Sequence, residues 1–184
     1  SRFATDDPVI QERVVRFVLG DVASMDFAQS PPAVGQRIHR LLRQLTGDPD
    51  PYRRVKDAFN RMALDMMPGL TKEIEDSDDP LYYAVRLAIA ANIIDLGVKG
   101  GIGEGEAQTA IHNAFSEPFC GDIQGFRDAV LRARSILYLA DNAAEIVFDR
   151  LLIERLPAGR VTLAVRGAPV LNDATREDAE QAGL

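Results

Sequence analysis

The run from Ser135 to Leu156, SILYLADNAAEIVFDRLLIERL, decides the fold of this chain. SILYLA is a short apolar run of the kind that forms a strand buried on both faces. After Asp141-Asn142 the apolar positions take up helical spacing and predict a helix of about 15 residues. GRVTLAVRG, residues 159–167, follows as a second run rich in β-branched side chains. Strand, helix, strand at this length is a βαβ unit, because parallel strands need such a crossover. Two parallel strands do not make a stable sheet alone. Residues 135–184 therefore read as the opening βαβ portion of a doubly wound α/β domain. The rest of its sheet is missing from the chain or supplied by something else.

Upstream, residues 1–134 read as a helical domain. In SPPAVGQRIHRLLRQLTG, Ser30 is a candidate N-cap, Pro31 takes the first helical position and Gly47 is a stop. Asp50 and Pro51 repeat the device before Val55, Phe59, Met62, Ala63 and Met66, with Pro68-Gly69 as the expected end. Asp79 and Pro80 open a third helix, expected to run from Leu81 to Val98 and to be buried. Further helices are expected at 8–19, 70–76, 104–115 and 123–134. The fold class is thus α/β, a helical domain in front of a parallel sheet.

Composition narrows the function. The chain has 184 residues, is 46% hydrophobic and carries a net charge of −7. That charge argues against a nucleic-acid partner, which calls for a basic face. A phosphate ligand stays compatible, because local cations or dipoles overcome a global charge. No apolar run is long enough for a membrane span, and the first residues lack a signal-peptide core. The single Cys120 excludes an internal disulfide and a cysteine metal site. The cytoplasm is the expected location. Both ends, Ser1 and the segment closing at Leu184, read as cut.

Ligands of open α/β sheets bind beyond the carboxyl ends of the strands. Two loops lie at that edge, Ala140-Asp141-Asn142 and Arg166 to Thr175. They offer Asp141, Asn142, Asn172 and Asp173, short side chains with oxygen donors. Two carboxylates and an amide carbonyl suit a hard cation such as Mg²⁺ or Mn²⁺. The competing reading is that Asn142 and Asn172-Asp173 only cap helices, the second with Thr175 and Asp178 as a capping box. Glu145 and Asp149 stand four apart on one helix face, where like charges repel and a cation or donor-rich ligand would relieve them. Asn92 and Asp95 lie three apart on the helix from Leu81. A ligand-facing role and a structural hydrogen bond are both open for them.

Other candidates carry less. GVKGGIGEGE, residues 97–106, lacks a Gly-Lys-Ser/Thr and follows no strand, so it is a loop rather than a phosphate-binding motif. His39 and His112 sit in separate helical patterns, and each reads as a surface or core histidine.

YLADNAAEIVFDRLLIERL and the following VRGAPVLNDATREDAEQAGL resemble the metal-dependent damage-control phosphatases, once catalogued as a domain of unknown function. NIIDLG and TGDPDPY resemble the helical part of the prokaryotic branch, and the likeness covers essentially the whole chain. It implies a helical domain packed on a Rossmann-like α/β/α domain. It implies a divalent metal (Mn²⁺, Mg²⁺, Co²⁺ or Ni²⁺) held by Asp141, Asn142 and Asp173, with Glu145 toward the substrate. Asn92 and Asp95 match a polar pair on the helical side of the cleft. The implied substrates are small phosphorylated metabolites such as sugar phosphates. Three departures stand out: Ala144 replaces a usual Gly, an N-terminal cysteine pair is absent, and further strands with a substrate loop are lacking.

The mechanism this implies is phosphomonoester hydrolysis, with Asp141, Asp173 and Glu145 as the catalytic carboxylates and Asp173 or Glu145 as general base. Arg166 either stabilises charge or is a plain surface arginine, and Asn172 is grouped with the substrate-binding residues. Two competitors stand beside it. One is a non-catalytic fragment or half of an assembly. The other is an S-adenosylmethionine-dependent carboxyl methyltransferase, disfavoured because the loop Asp-Asn-Ala-Ala-Glu has no glycine for close cofactor approach.

Overall fold

The computed structural model describes residues 4–26, 28–93, 109, 111–113 and 115–184. The sequence GVKGGIGEGE, Asp95 and the expected helix at 104–115 lie wholly or largely outside the described residues. In chain order the elements are α1 (Pro8–Ala23), α2 (Pro31–Thr46), α3 (Arg53–Asp76), α4 (Pro80–Ile93) and α5 (Ile123–Arg132). They are followed by β1 (Ile136–Leu139), α6 (Glu145–Ile153), β2 (Val161–Ala164) and α7 (Arg176–Ala182). The class is α/β, mostly helical with a small parallel sheet.

Local chemistry sets the helix ends. Ser30 is the N-cap of α2 with Pro31 behind it, and Gly47 closes the helix at φ 71°, a conformation that glycine adopts without a Cβ clash. Asp79 accepts the Tyr82 N–H at 3.0 Å and caps α4. Asp50 does not cap α3: its side chain accepts the Tyr52 N–H in a preceding turn, and Tyr52 is the N-cap. Helix α3 also does not stop at Pro68-Gly69 but runs through both to Asp76. Pro68 removes one backbone hydrogen bond. Both residues are exposed, while Leu70 and Ile74 beyond them carry the buried stripe onward.

The core is one connected cluster. Met66, Leu70 and Ile74 of α3 and Ala84, Leu87 and Ala91 of α4 pack with Ile146, Val147, Phe148 and Leu151 of α6. Burying such side chains is worth roughly 1.5–3 kcal/mol each. Helix α6 is the hub: it lies against α3, α4 and α7. It spans nine residues rather than the longer run expected, because Ala144 at φ 65° sets its start and a turn follows Ile153.

The sheet is parallel, with Ile136 opposite Val161 and Leu139 opposite Ala164. Strand β1 is not buried on both faces in this chain. Ile136 and Tyr138 turn toward the core, whereas Leu137 and Leu139 are 64% and 71% exposed. The helices described here cover one face of the sheet, and the period-two alternation leaves the other in solvent.

Candidate functional site

Beyond Leu139 and Ala164 the chain leaves the sheet, and the two loops pair with each other. Asn142 and Asp173 form an isolated antiparallel bridge. The Ala174 N–H donates to the Asp141 carbonyl at 2.7 Å, and the Ala143 N–H donates to the Asn172 carbonyl at 2.8 Å. These bonds flank Asn142 and Asp173, which makes them a non-hydrogen-bonded pair, the closer kind, with Cα atoms about 4.5 Å apart. A second bridge, Arg166 to Thr175, extends β2. Asp141, Asn142 and Asp173 are thereby gathered at the carboxyl edge from positions separated in sequence.

Glu145 joins them from the first turn of α6. Its Oε2 accepts from the Asn142 amide at 3.3 Å, and its Oε1 accepts from the Asn92 amide on α4 at 3.1 Å. Burial pushes the Glu145 pKa up, and the Asp141 charge adds to this against the two amide donors. Asn92 is exposed rather than buried as the sequence suggested, although its neighbour Ala91 lies in the core. Its hydrogen bond goes to a site residue. Arg166, also exposed, donates from Nε to Asp173 Oδ2 at 2.6 Å.

Asp149 is buried, and no ion pair to it is found among the described residues. Its Oδ1 accepts the Tyr138 hydroxyl at 2.6 Å. Burial raises its pKa to about 7, with Glu145 and Asp141 adding to the rise. Asn92, Tyr138, Glu145 and Asp149 line a groove of about 500 Å³ whose other wall includes Val85, Ile89, Leu137 and Leu139.

The donor set is compatible with one hard cation. No three His, Cys, Asp or Glu side chains form a metal cluster among the described residues. A cation site here would draw on two carboxylates, Asp141 and Asp173, and one amide oxygen, that of Asn142. Glu145 engages the nitrogen of the Asn142 amide, leaving its Oδ1 as an oxygen donor. Asn142 is not the helix cap; Ala144 holds that position. Thr175 and Asp178 do form the capping box read from the sequence.

The buried polar cluster behind the site, and the ion pairing of Asp178 within it, escaped sequence reading. Lys56 and Asp178 are fully buried and paired at 2.7 Å. Arg53 reaches the same carboxylate at 2.7 Å. Burial alone would raise the Asp178 pKa, but the Lys56 and Thr175 hydrogen bonds hold it down at about 2. Asn60 is buried beside them. The available signal was a pair of polar residues on the apolar stripe of α3, where Lys56, Asn60, Ala63, Met66 and Leu70 share the buried face. His39 is buried against Tyr52, and burial with nearby Arg43 lowers its pKa, so it is a neutral core imidazole.

Comparison with known proteins gives the family. A damage-control phosphatase of Archaeoglobus fulgidus is 36% identical over 150 residues, covering 79% of this chain and 51% of that protein. A damage-control phosphatase of Pyrococcus horikoshii is 29% identical, covering 98% of this chain and 63% of its own length. The crystal structure of a DUF89 family protein from Pyrococcus horikoshii superposes with a TM-score of 0.79 at 28% identity. That match covers 99% of this chain and 64% of the other. The chain thus spans between half and two thirds of the proteins it matches. The sequence model of the damage-control phosphatase ARMT1-like domain matches residues 2–183, and the chain belongs to that family.

Proposed function

We propose that this chain supplies the cation-binding part of a phosphomonoesterase that hydrolyses small phosphorylated metabolites, such as sugar phosphates, in the cytoplasm. One observation supports the reading: the backbone bridge between Asn142 and Asp173 joins the two loops that carry Asp141, Asn142 and Asp173 at the carboxyl edge of a parallel sheet. The relatives named as damage-control phosphatases support the reaction class.

Asp141, Asn142 and Asp173 would hold one divalent ion, Mn²⁺, Mg²⁺, Co²⁺ or Ni²⁺. When bound, such an ion supplies positive charge to a phosphate oxygen and lowers the pKa of a water nucleophile. Glu145 is better placed than Asp173 to carry a proton, since burial favours its protonated form and two amides fix both of its oxygens. Asp173 is instead neutralised by Arg166. Arg166 is exposed, and among the described residues its side chain pairs with Asp173, so it could swing to an incoming phosphate. Asn92, bonded to Glu145, and Asn172, beside Asp173 in the chain, would contact substrate, and Asp95 is kept as a substrate-side candidate.

The test is hydrolysis of p-nitrophenyl phosphate with Mn²⁺. Activity lost both on chelation and in Asp141→Ala supports the reading; activity surviving either one overturns it.

A further inference from the structure

Asn60 lies on the buried face of α3 and is 1% exposed. A buried amide is costly unless each of its groups is paired. All are. Asn60 Oδ1 accepts the Ala144 N–H at 2.7 Å, and Nδ2 donates to Asp178 Oδ1 at 3.0 Å and to Gln181 Oε1 at 2.7 Å.

These partners belong to two distant segments. Ala144 closes the loop that carries Asp141 and Asn142. Asp178 Oδ2 accepts the Thr175 N–H at 2.8 Å and the Thr175 hydroxyl at 2.7 Å, which fixes the chain just after Asp173. One side chain therefore touches the back of the Asp141-Asn142 loop directly and reaches the chain after Asp173 through Asp178, while the Asn142–Asp173 bridge joins the two loops at their front. Ala144 sits at φ 65°, ψ −48°, and a non-glycine residue stays there only where its surroundings over-determine it. Its N–H belongs to the helix start, where no carbonyl within α6 is available to it, and Asn60 supplies the acceptor.

We infer that Asn60 is a positioning residue that braces the Asp141-Asn142 loop and the Asp173 loop as one unit and so sets the spacing of the cation ligands. The inference rests on the reading of Asp141, Asn142 and Asp173 as those ligands. Asn60 itself touches neither cation nor substrate.

The experiment combines two readouts on the full chain: amide hydrogen exchange and calorimetric binding of Mn²⁺ alone. Asn60→Leu keeps the volume and removes every hydrogen bond. It is expected to speed exchange at residues 143–147 and 173–175 together, relative to the amides of α3. Mn²⁺ binding should weaken roughly 10- to 100-fold, the usual effect of losing an outer-shell partner. Met66→Ala, a packing loss on the same helix, should leave the relative exchange of both loops and the Mn²⁺ affinity unchanged. Exchange that rises only at Ala144, or Mn²⁺ affinity within about twofold of the parent, overturns the brace. So does an equal effect from Met66→Ala. Where Asn60→Leu does not fold, Asn60→Asp serves: it keeps the acceptor for Ala144 but cannot donate to Asp178. It should loosen 173–175 while Ala144 stays protected, and the reverse pattern overturns the brace. Equal Mn²⁺ binding by the parent and Asp141→Ala would sink the ligand assignment instead, leaving the brace to be judged by exchange alone.

Discussion

Tyr138 donates its hydroxyl hydrogen to Asp149 Oδ1 across 2.6 Å and so ties the core-facing side of β1 to the second turn of α6. The donor makes a buried carboxyl tolerable, and burial still raises its pKa from 3.8 to about 7. The folded state therefore holds this proton more tightly than the unfolded chain. Stability from this group is complete below the unfolded value of 3.8 and is lost as pH rises toward about 7.

Asp149→Asn keeps the acceptor for Tyr138 and cannot ionise. It should be more stable than the parent at pH 8 by on the order of a few kcal/mol, and nearly equal to it at pH 4. Urea denaturation at the two pH values checks this, and a parent curve flat between them would contradict it.

Asp178 behaves in the opposite sense. Its pKa is held at about 2 against an ordinary 3.8, so its contribution is present above 3.8 and is lost as pH falls through about 2. Asp178→Ala leaves the buried Lys56 ammonium with Asp50, at 3.4 Å, as its carboxylate partner among the described residues, and should cost roughly 3–5 kcal/mol. Lys56→Met should cost less than about half of that, because Arg53, Asn60 and Thr175 still serve the carboxylate. Denaturation midpoints of the two variants decide the order.

Arg166 occupies one oxygen of Asp173 from an exposed position. Arg166→Gln should tighten Mn²⁺ binding by no more than about fivefold, the scale of an exposed ion pair. The same change should slow p-nitrophenyl phosphate hydrolysis, with the affinity gained and the rate lost in one variant. Titration calorimetry and initial rates read the two effects separately.

Ala144 holds a positive φ of 65° and is fully buried. Ala144→Gly should be neutral or stabilising by up to about 1 kcal/mol, as the Cβ strain and the extra chain entropy of glycine nearly cancel. Ala144→Val should cost roughly 2–4 kcal/mol, since a branched side chain meets both the strain and the packed core. Thermal melting distinguishes them.

Much was legible because it is local. The caps at Ser30 and Asp79, the stop at Gly47, the Thr175–Asp178 box and the βαβ order depend on residues within a few positions of one another. The two acidic loops were legible too, because strand ends mark the edge where they lie. What the chain alone determined ends there. The run of α3 through Pro68 was decided by the buried stripe it extends, not by the proline's own preference. The exposure of Leu137 and Leu139 was decided by which helices lie against the sheet. The joining of Asn142 to Asp173, and of Asn60 to both Ala144 and Asp178, was decided by tertiary structure alone. A helical period records which face is buried but not which distant backbone that face meets. The polar contacts behind the site became visible only once the chain had closed on itself.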